Sequence, residues 1–124
     1  MNEVVFVGTS DAFGAGGRRQ SAAVLRTGSG SLLMDCGATT NSGLDSLGIP
    51  RNEIDVILVS HFHGDHFGGI PLFLLAAIYE DHRSEPLEIV GPPEIESRVR
   101  TLAAAMGHEL GHHKPDFPLR FTEV

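Results

Sequence analysis

The stretch VSHFHGDHFGGIP, Val59 to Pro71, places three histidines and an aspartate within six residues, directly behind the apolar run Val56–Val59. At the end of an extended strand, residues i and i+2 point the same way. His61 and His63 therefore project together, spaced as two imidazoles must be to grip one cation. Gly64 has no Cβ and permits a bend, so Asp65 and His66 swing round to a neighbouring position, and Gly68 and Gly69 turn the backbone into a following helix. Imidazole nitrogen and carboxylate oxygen are borderline to hard donors, suited to Zn(II), Mn(II) or Fe(II) rather than to a thiolate-binding ion. The plain alternative is a surface loop that happens to be rich in histidine. The spacing, behind a strand with four consecutive apolar residues, argues against it.

Outward from this stretch, IDVILVS reads as the strongest strand, with Val56 to Val59 predicting burial on both faces. A helix is predicted from Ile70 to about His82, apolar nearly all round at first. On the N-terminal side, Val4–Val7 reads as a short buried strand followed by the glycine-rich GTSDAFGAGGRR. SAAVLRTG and SLLMDCG then form two strand-like runs joined through Gly28-Ser29-Gly30, a hairpin signal. NSGLDSLGIP predicts a short helix capped by Thr40 or Asn41 and closed by Gly48 and Pro50. On the C-terminal side, PLEIV is a short strand. PPEIESRVRTLAAAMG is an amphipathic helix with Pro93 in its first turn and Ile95, Val99, Leu102, Ala103 and Met106 on one stripe. FPLRFTEV begins another strand. Strands alternating with helices give an α/β layout, a sheet covered by helices.

The 124 residues match one domain, or part of a larger one, and 41% apolar content permits a packed core. Sixteen acidic against nine basic residues, only one of them lysine, give a formal charge of −7. That balance argues against broad electrostatic wrapping of nucleic acid, though a local phosphate site is compatible with it. Cys36 is the single cysteine, which excludes an intrachain disulfide and fits a reducing compartment. The N-terminus has no signal-peptide pattern. The longest apolar run, Ile70–Tyr79, is about half of the ~20 residues needed to span a bilayer. A cytoplasmic protein with no membrane association is expected.

ILVSHFHGDHFGGIP resembles the H-x-H-x-D-H signature of the metallo-β-lactamase-fold hydrolases. FVGTSDAFG, SLLMDCG and PLEIVGPPEIESRV are similar to segments of its ribonuclease Z and phosphodiesterase-like branch. The resemblance covers residues 3 to about 100. It implies that His61 and His63 bind a first metal and Asp65 and His66 a second, with zinc expected and manganese or iron as alternatives. It also implies that Asp35 supports the site from behind; a hydrogen-bonded carboxylate ending a strand is an equally good reading. Two cations ~3.5–4 Å apart would activate a bridging hydroxide, with Asp65 as ligand and as acceptor orienting it. The expected substrate is a phosphodiester, in a small molecule or a nucleic acid. Cys36 reads as a small buried residue rather than a nucleophile.

The same resemblance implies more ligands than this chain supplies: a further histidine, a bridging aspartate and a last histidine. The expectation is therefore the N-terminal half of an αββα sandwich, one mixed sheet with its covering helices, or a truncated gene product. Three other readings compete. A catalytically inactive metal-binding or interaction module would cover its exposed sheet face with a partner, most simply a second copy in a homodimer. His108, His112 or His113 would fill out the ligand set. Or HELGH, His108 to His112, matches the H-E-x-x-H zinc motif of metallopeptidases with Glu109 as base, against a context of Gly107, Gly111 and Pro115. Finally, GTSDAFGAGGRR lacks a P-loop ending. It is either a flexible connector or a border of the active site, where Arg18 or Arg19 would meet a phosphate. Gln20 follows Arg19 where the phosphodiesterase branch often has asparagine.

Overall fold

The computed structural model describes residues 1–111 and 115–124. Along the chain run β1 (Glu3–Gly8), β2 (Ala22–Thr27), β3 (Gly30–Met34), α1 (Thr40–Ser46), β4 (Ile54–Leu58), α2 (Gly64–Phe67), α3 (Ile70–Tyr79), β5 (Leu87–Gly91), α4 (Ile95–Ala105) and β6 (Leu119–Glu123). The predicted hairpin forms, with Thr27 opposite Gly30 across Gly28-Ser29. Its turn is tied by the Thr27 hydroxyl, which accepts from the Ser29 amide at 3.1 Å and donates to the Gly30 carbonyl at 2.9 Å.

All six strands join one mixed sheet in sequence order. The first three are antiparallel, and β3 to β6 are parallel. That order decides where the helices go. Each parallel connection advances one strand in the same direction, and right-handed crossovers then put every helix on the same face. The register aligns a row across that face: Val5, Val24, Leu33, Ile57, Ile89 and Phe121. Val24, Leu33, Ile57 and Ile89 are fully buried, in one core with Leu44 of α1, Phe73 and Leu74 of α3, and Val99 and Ala103 of α4.

Among the described residues the opposite face is uncovered; it is mostly apolar over β1 to β4 and carries Glu88, Arg120 and Thr122 on β5 and β6. Val4 and Phe6 are exposed at 49% and 69%, and Leu25, Leu32, Met34, Val56, Leu58 and Val90 are half-buried. The expectation that β4 is buried on both faces is corrected accordingly. Ile54, Ile57 and Val59 are buried, whereas Val56 and Leu58 lie on the bare side. Among the described residues only one face has a covering layer.

Three helix boundaries also differ, each for a local reason. α1 begins after Thr39 with no side-chain cap. The Thr40 hydroxyl is engaged by the Gly37 amide instead, and the Asn41 amide by the Gly69 carbonyl. α3 stops at Tyr79 because the Glu80 and Asp81 amides both close on the Ala76 carbonyl, before His82 at φ 48°. Pro93 precedes α4 rather than sitting in its first turn: Glu94, at φ 79°, intervenes, its amide held by the Glu123 carboxylate at 2.7 Å. On α4 itself Ile95, Val99 and Ala103 are fully buried and Leu102 packs at the margin, while Met106 is 37% exposed beyond the helix end.

The helix presentation that an H-E-x-x-H motif needs is absent from its described part. α4 ends at Ala105, and His108 to Gly111 are non-helical. His112 and His113 lie outside the described residues. Among the described residues, no helix is long and apolar enough to cross a membrane.

Candidate active site

The carboxyl end of β4 delivers the cluster. His61 lies two residues beyond buried Val59, and its ring centroid is 4.7 Å from that of His63 and 4.1 Å from that of His66. The two histidines expected to project together do so. His66 comes back to them because the chain folds into one helical turn, α2, immediately after His63 at φ −66°, ψ 143°. Gly64 is not what makes this possible. It has no positive φ, and a Cβ there would meet nothing within 4 Å. A helical turn, open to any residue, supplies the bend that was attributed to glycine.

The turn is fastened to the loop after β3. The Cys36 amide donates to the His66 carbonyl at 2.8 Å, and the Gly69 amide donates to the Cys36 carbonyl at 2.9 Å. Gly37 lies so close to the Asp65 carbonyl that a Cβ would collide with it. Asp35 opens this loop. Its amide donates to the Leu58 carbonyl at 2.8 Å, and its φ of 65° is a left-handed value that aspartate tolerates better than most residues. In that conformation the carboxylate turns toward β4. Oδ1 accepts from the Ser60 amide at 2.8 Å, and Oδ2 accepts from the Ser60 hydroxyl at 2.8 Å and from His66 Nδ1 at 2.7 Å. Both readings of Asp35, support from behind and a hydrogen-bonded strand terminus, describe this one arrangement.

With Nδ1 turned to Asp35, His66 Nε2 faces forward and lies 3.1 Å from Asp65 Oδ2. Two donors ~2.1 Å from one zinc ion stand about 3–3.4 Å apart at tetrahedral or octahedral angles. Asp65 and His66 thus have the bite of a chelating pair. Among the described residues no three His, Cys, Asp or Glu side chains converge on one point. Imidazole and carboxylate donors of this kind suit divalent zinc, manganese or iron.

The glycine-rich segment borders this loop through Gln20. Its amide donates to the Thr39 hydroxyl at 2.9 Å, and its side-chain oxygen accepts from the Ala38 amide at 2.8 Å. The arginines expected to meet a phosphate are engaged locally: Arg18 with the Ala15 carbonyl and the Thr9 hydroxyl, Arg19 with the Val7 carbonyl. Beside Asp35 and Ser60, an open groove of about 430 Å³ runs past Met34, Leu58, Val59 and Pro92. It lies outside the carboxyl ends of the parallel strands, where α/β sheets usually place ligands. Sequence reasoning passed over Ser60 and Gln20. Ser60 stood next to the motif but carries no chemistry that marks it, and Gln20 showed only as a departure from a family pattern.

Cys36 is fully buried, as expected. Burial, and secondarily the Asp35 charge, push its thiol from 9.0 up to about 12. The native thiol is therefore expected to resist alkylation by iodoacetamide at neutral pH and to react on unfolding. The sign of the linkage is fixed by the same shift. From pH 9.0 to about 12 the unfolded chain ionises this thiol and the folded chain does not. Cys36 should thus subtract about 1.4 kcal/mol of stability per pH unit across that window and nothing below it. Urea titrations of wild type and Cys36→Ala, compared at neutral and alkaline pH, read this directly.

The sheet and the placement of its helices are those of the metallo-β-lactamase fold. The structure superposes on the short form of human tRNase Z with a TM-score of 0.79 at 31% identity, covering 99% of this chain and 45% of that one. It matches the metallo-β-lactamase-fold protein YhfI of Bacillus subtilis with a TM-score of 0.63 at 27% identity, covering 77% and 40%. A ribonuclease Z of Lachnoclostridium phytofermentans is 36% identical over 124 residues, all of this chain and 38% of the relative. The chain thus spans well under half the length of that curated relative. Residues 2–118 match the family described as Anti-Pycsar protein Apyc1, and the chain belongs to that family.

Proposed function

We propose that the protein containing this chain is a metal-dependent phosphodiester hydrolase, with His61 and His63 on one divalent cation and Asp65 and His66 on a second. The observation that carries the proposal is the grouping at the end of β4: the His61 ring lies 4.7 Å from that of His63 and 4.1 Å from that of His66, and Asp65 and His66 stand 3.1 Å apart. The names of the relatives, ribonuclease Z and tRNase Z, support the substrate class. Zinc is the expected metal, and when bound a cation pair supplies Lewis acidity and an activated water at neutral pH.

The residues of this chain do the positioning. Asp35 fixes the ring of His66, so that Nε2 is presented forward beside Asp65. Asp65 offers one carboxylate oxygen as a ligand and keeps the other to accept a proton from attacking water. The groove past Met34, Leu58 and Pro92 gives the substrate an apolar wall. The formal charge of −7 favours a small phosphodiester or a nucleic-acid end over a long tract of wrapped RNA.

The test is hydrolysis of bis(p-nitrophenyl) phosphate by the full protein. Activity should be lost on dialysis against a chelator and return on adding zinc or manganese. Turnover unaffected by complete metal removal would defeat the proposal.

A further inference from the structure

We infer that Ser60 is a positioning residue, relaying the Asp35 carboxylate to His61 so that one carboxylate fixes a proton on Nδ1 of two histidines. The argument is a count of protons. The Asp35 carboxylate only accepts, and Oδ2 has two neighbours, the Ser60 hydroxyl at 2.8 Å and His66 Nδ1 at 2.7 Å. Both must donate to it. The hydroxyl has a single proton, and once that proton points at Asp35, the Ser60 oxygen can only accept from its remaining neighbour. That neighbour is His61 Nδ1, at 2.9 Å. Nδ1 of His61 therefore carries the proton and Nε2 keeps its lone pair.

His66 Nδ1 is held protonated by direct contact with Asp35, while its Nε2 faces the Asp65 carboxylate at 3.1 Å. Two histidines from either side of the H-x-H-x-D-H turn thus carry a proton on Nδ1 through one chain of hydrogen bonds, Asp35 to His66 and Asp35 through Ser60 to His61. Partners of this kind fix ring orientation and raise ligand basicity at metal-binding histidines. A side chain shorter or apolar at position 60 would leave His61 free to exchange tautomers and to rotate. The use of the relay in metal binding rests on the function proposed above; the tautomers do not.

The experiment uses the full protein with ¹⁵N-labelled histidine, free of metal, in mildly alkaline buffer where an ordinary imidazole is neutral. Long-range ¹H–¹⁵N correlation spectra report which ring nitrogen is protonated. In wild type, His61 and His66 should both be protonated at Nδ1. In Ser60→Ala the Ser60 amide bond to Asp35 remains available to hold the fold. His61 should then become a tautomer mixture while His66 is unchanged, and Ser60→Thr should restore the wild-type spectrum. Protonation of wild-type His61 at Nε2, or an unchanged His61 in Ser60→Ala, would overturn the relay.

A second arm titrates zinc against a chromophoric chelator. Ser60→Ala should bind about 10–100-fold more weakly and Ser60→Thr near wild type. Equal affinity in wild type and Ser60→Ala would remove the relay from metal binding while leaving the metal site intact. Absence of zinc binding in wild type would instead overturn the metal site, with the tautomer spectra still deciding the relay.

Discussion

Asp65→Ala and His63→Ala should each lower hydrolysis of bis(p-nitrophenyl) phosphate by about 10³-fold, with thermal unfolding close to wild type. Under the proposed ligand assignment the two substitutions act on different cations. Asp65 lies 3.1 Å from His66 Nε2, so its loss leaves His66 as a lone donor. His63 is exposed beside His61, and its loss leaves that ring alone. A cation held by one imidazole of this chain is neither fixed nor well placed. Stability should be little changed in Asp65→Ala, because His66 keeps its 2.7 Å bond to Asp35 and its carbonyl keeps the Cys36 amide. Full activity in both variants would end the assignment of these four residues to a metal site.

Gly37→Ala should cost about 3 kcal/mol of stability, at the upper end for an added methyl group. It should also weaken metal binding, although residue 37 bears no donor. A Cβ at Gly37 collides with the Asp65 carbonyl and comes within 2.6 Å of the Gln20 side-chain oxygen. Neither neighbour can yield cheaply. The Asp65 carbonyl belongs to the turn that aims Asp65 and His66, and Gln20 is held by the Ala38 amide. Relief would push α2 away from the Asp35–Gly37 loop and stretch the Cys36 bond to His66. Gly64→Ala is the control, since a Cβ there meets open space, and it should fold and bind metal as wild type. Equal denaturation midpoints for the two variants would show that the close approach at Gly37 carries no energy.

Most of the fold, and the order of residues in the candidate site, is legible in the sequence. The hairpin turn has glycines on both sides of Ser29, the strands are rich in β-branched residues, and the Ile95–Val99–Ala103 stripe has helical period. Each of these signals is local, carried by the conformational preferences of residues close in sequence. The H-x-H-x-D-H spacing was legible for the same reason. His61, Asp65 and His66 are brought together by a strand end and one helical turn, with no long-range contact needed to set their order.

What was misread depended on groups distant in sequence. Thr40 and Asn41 look like helix caps, yet their side chains bond Gly37 and Gly69. Pro93 looks like a first-turn residue, but Glu123 of the last strand holds the Glu94 amide and delays the helix. Gly64 looks like a hinge because glycine allows bends, yet its position would accept a Cβ, whereas Gly37 is required by the backbone of Asp65, twenty-eight residues later.

By itself, then, the sequence determined the alternation of strands and helices, the apolar character of β4 on both sheet faces and the order of donors in the histidine turn. All of these follow from side-chain type and short-range backbone preference. Only the tertiary structure decided which face the helices cover, through the direction of successive crossovers. It alone joined Asp35 to Ser60 and His66 across β3 and β4, because hydrogen bonds between strands depend on register and leave no local trace in the chain.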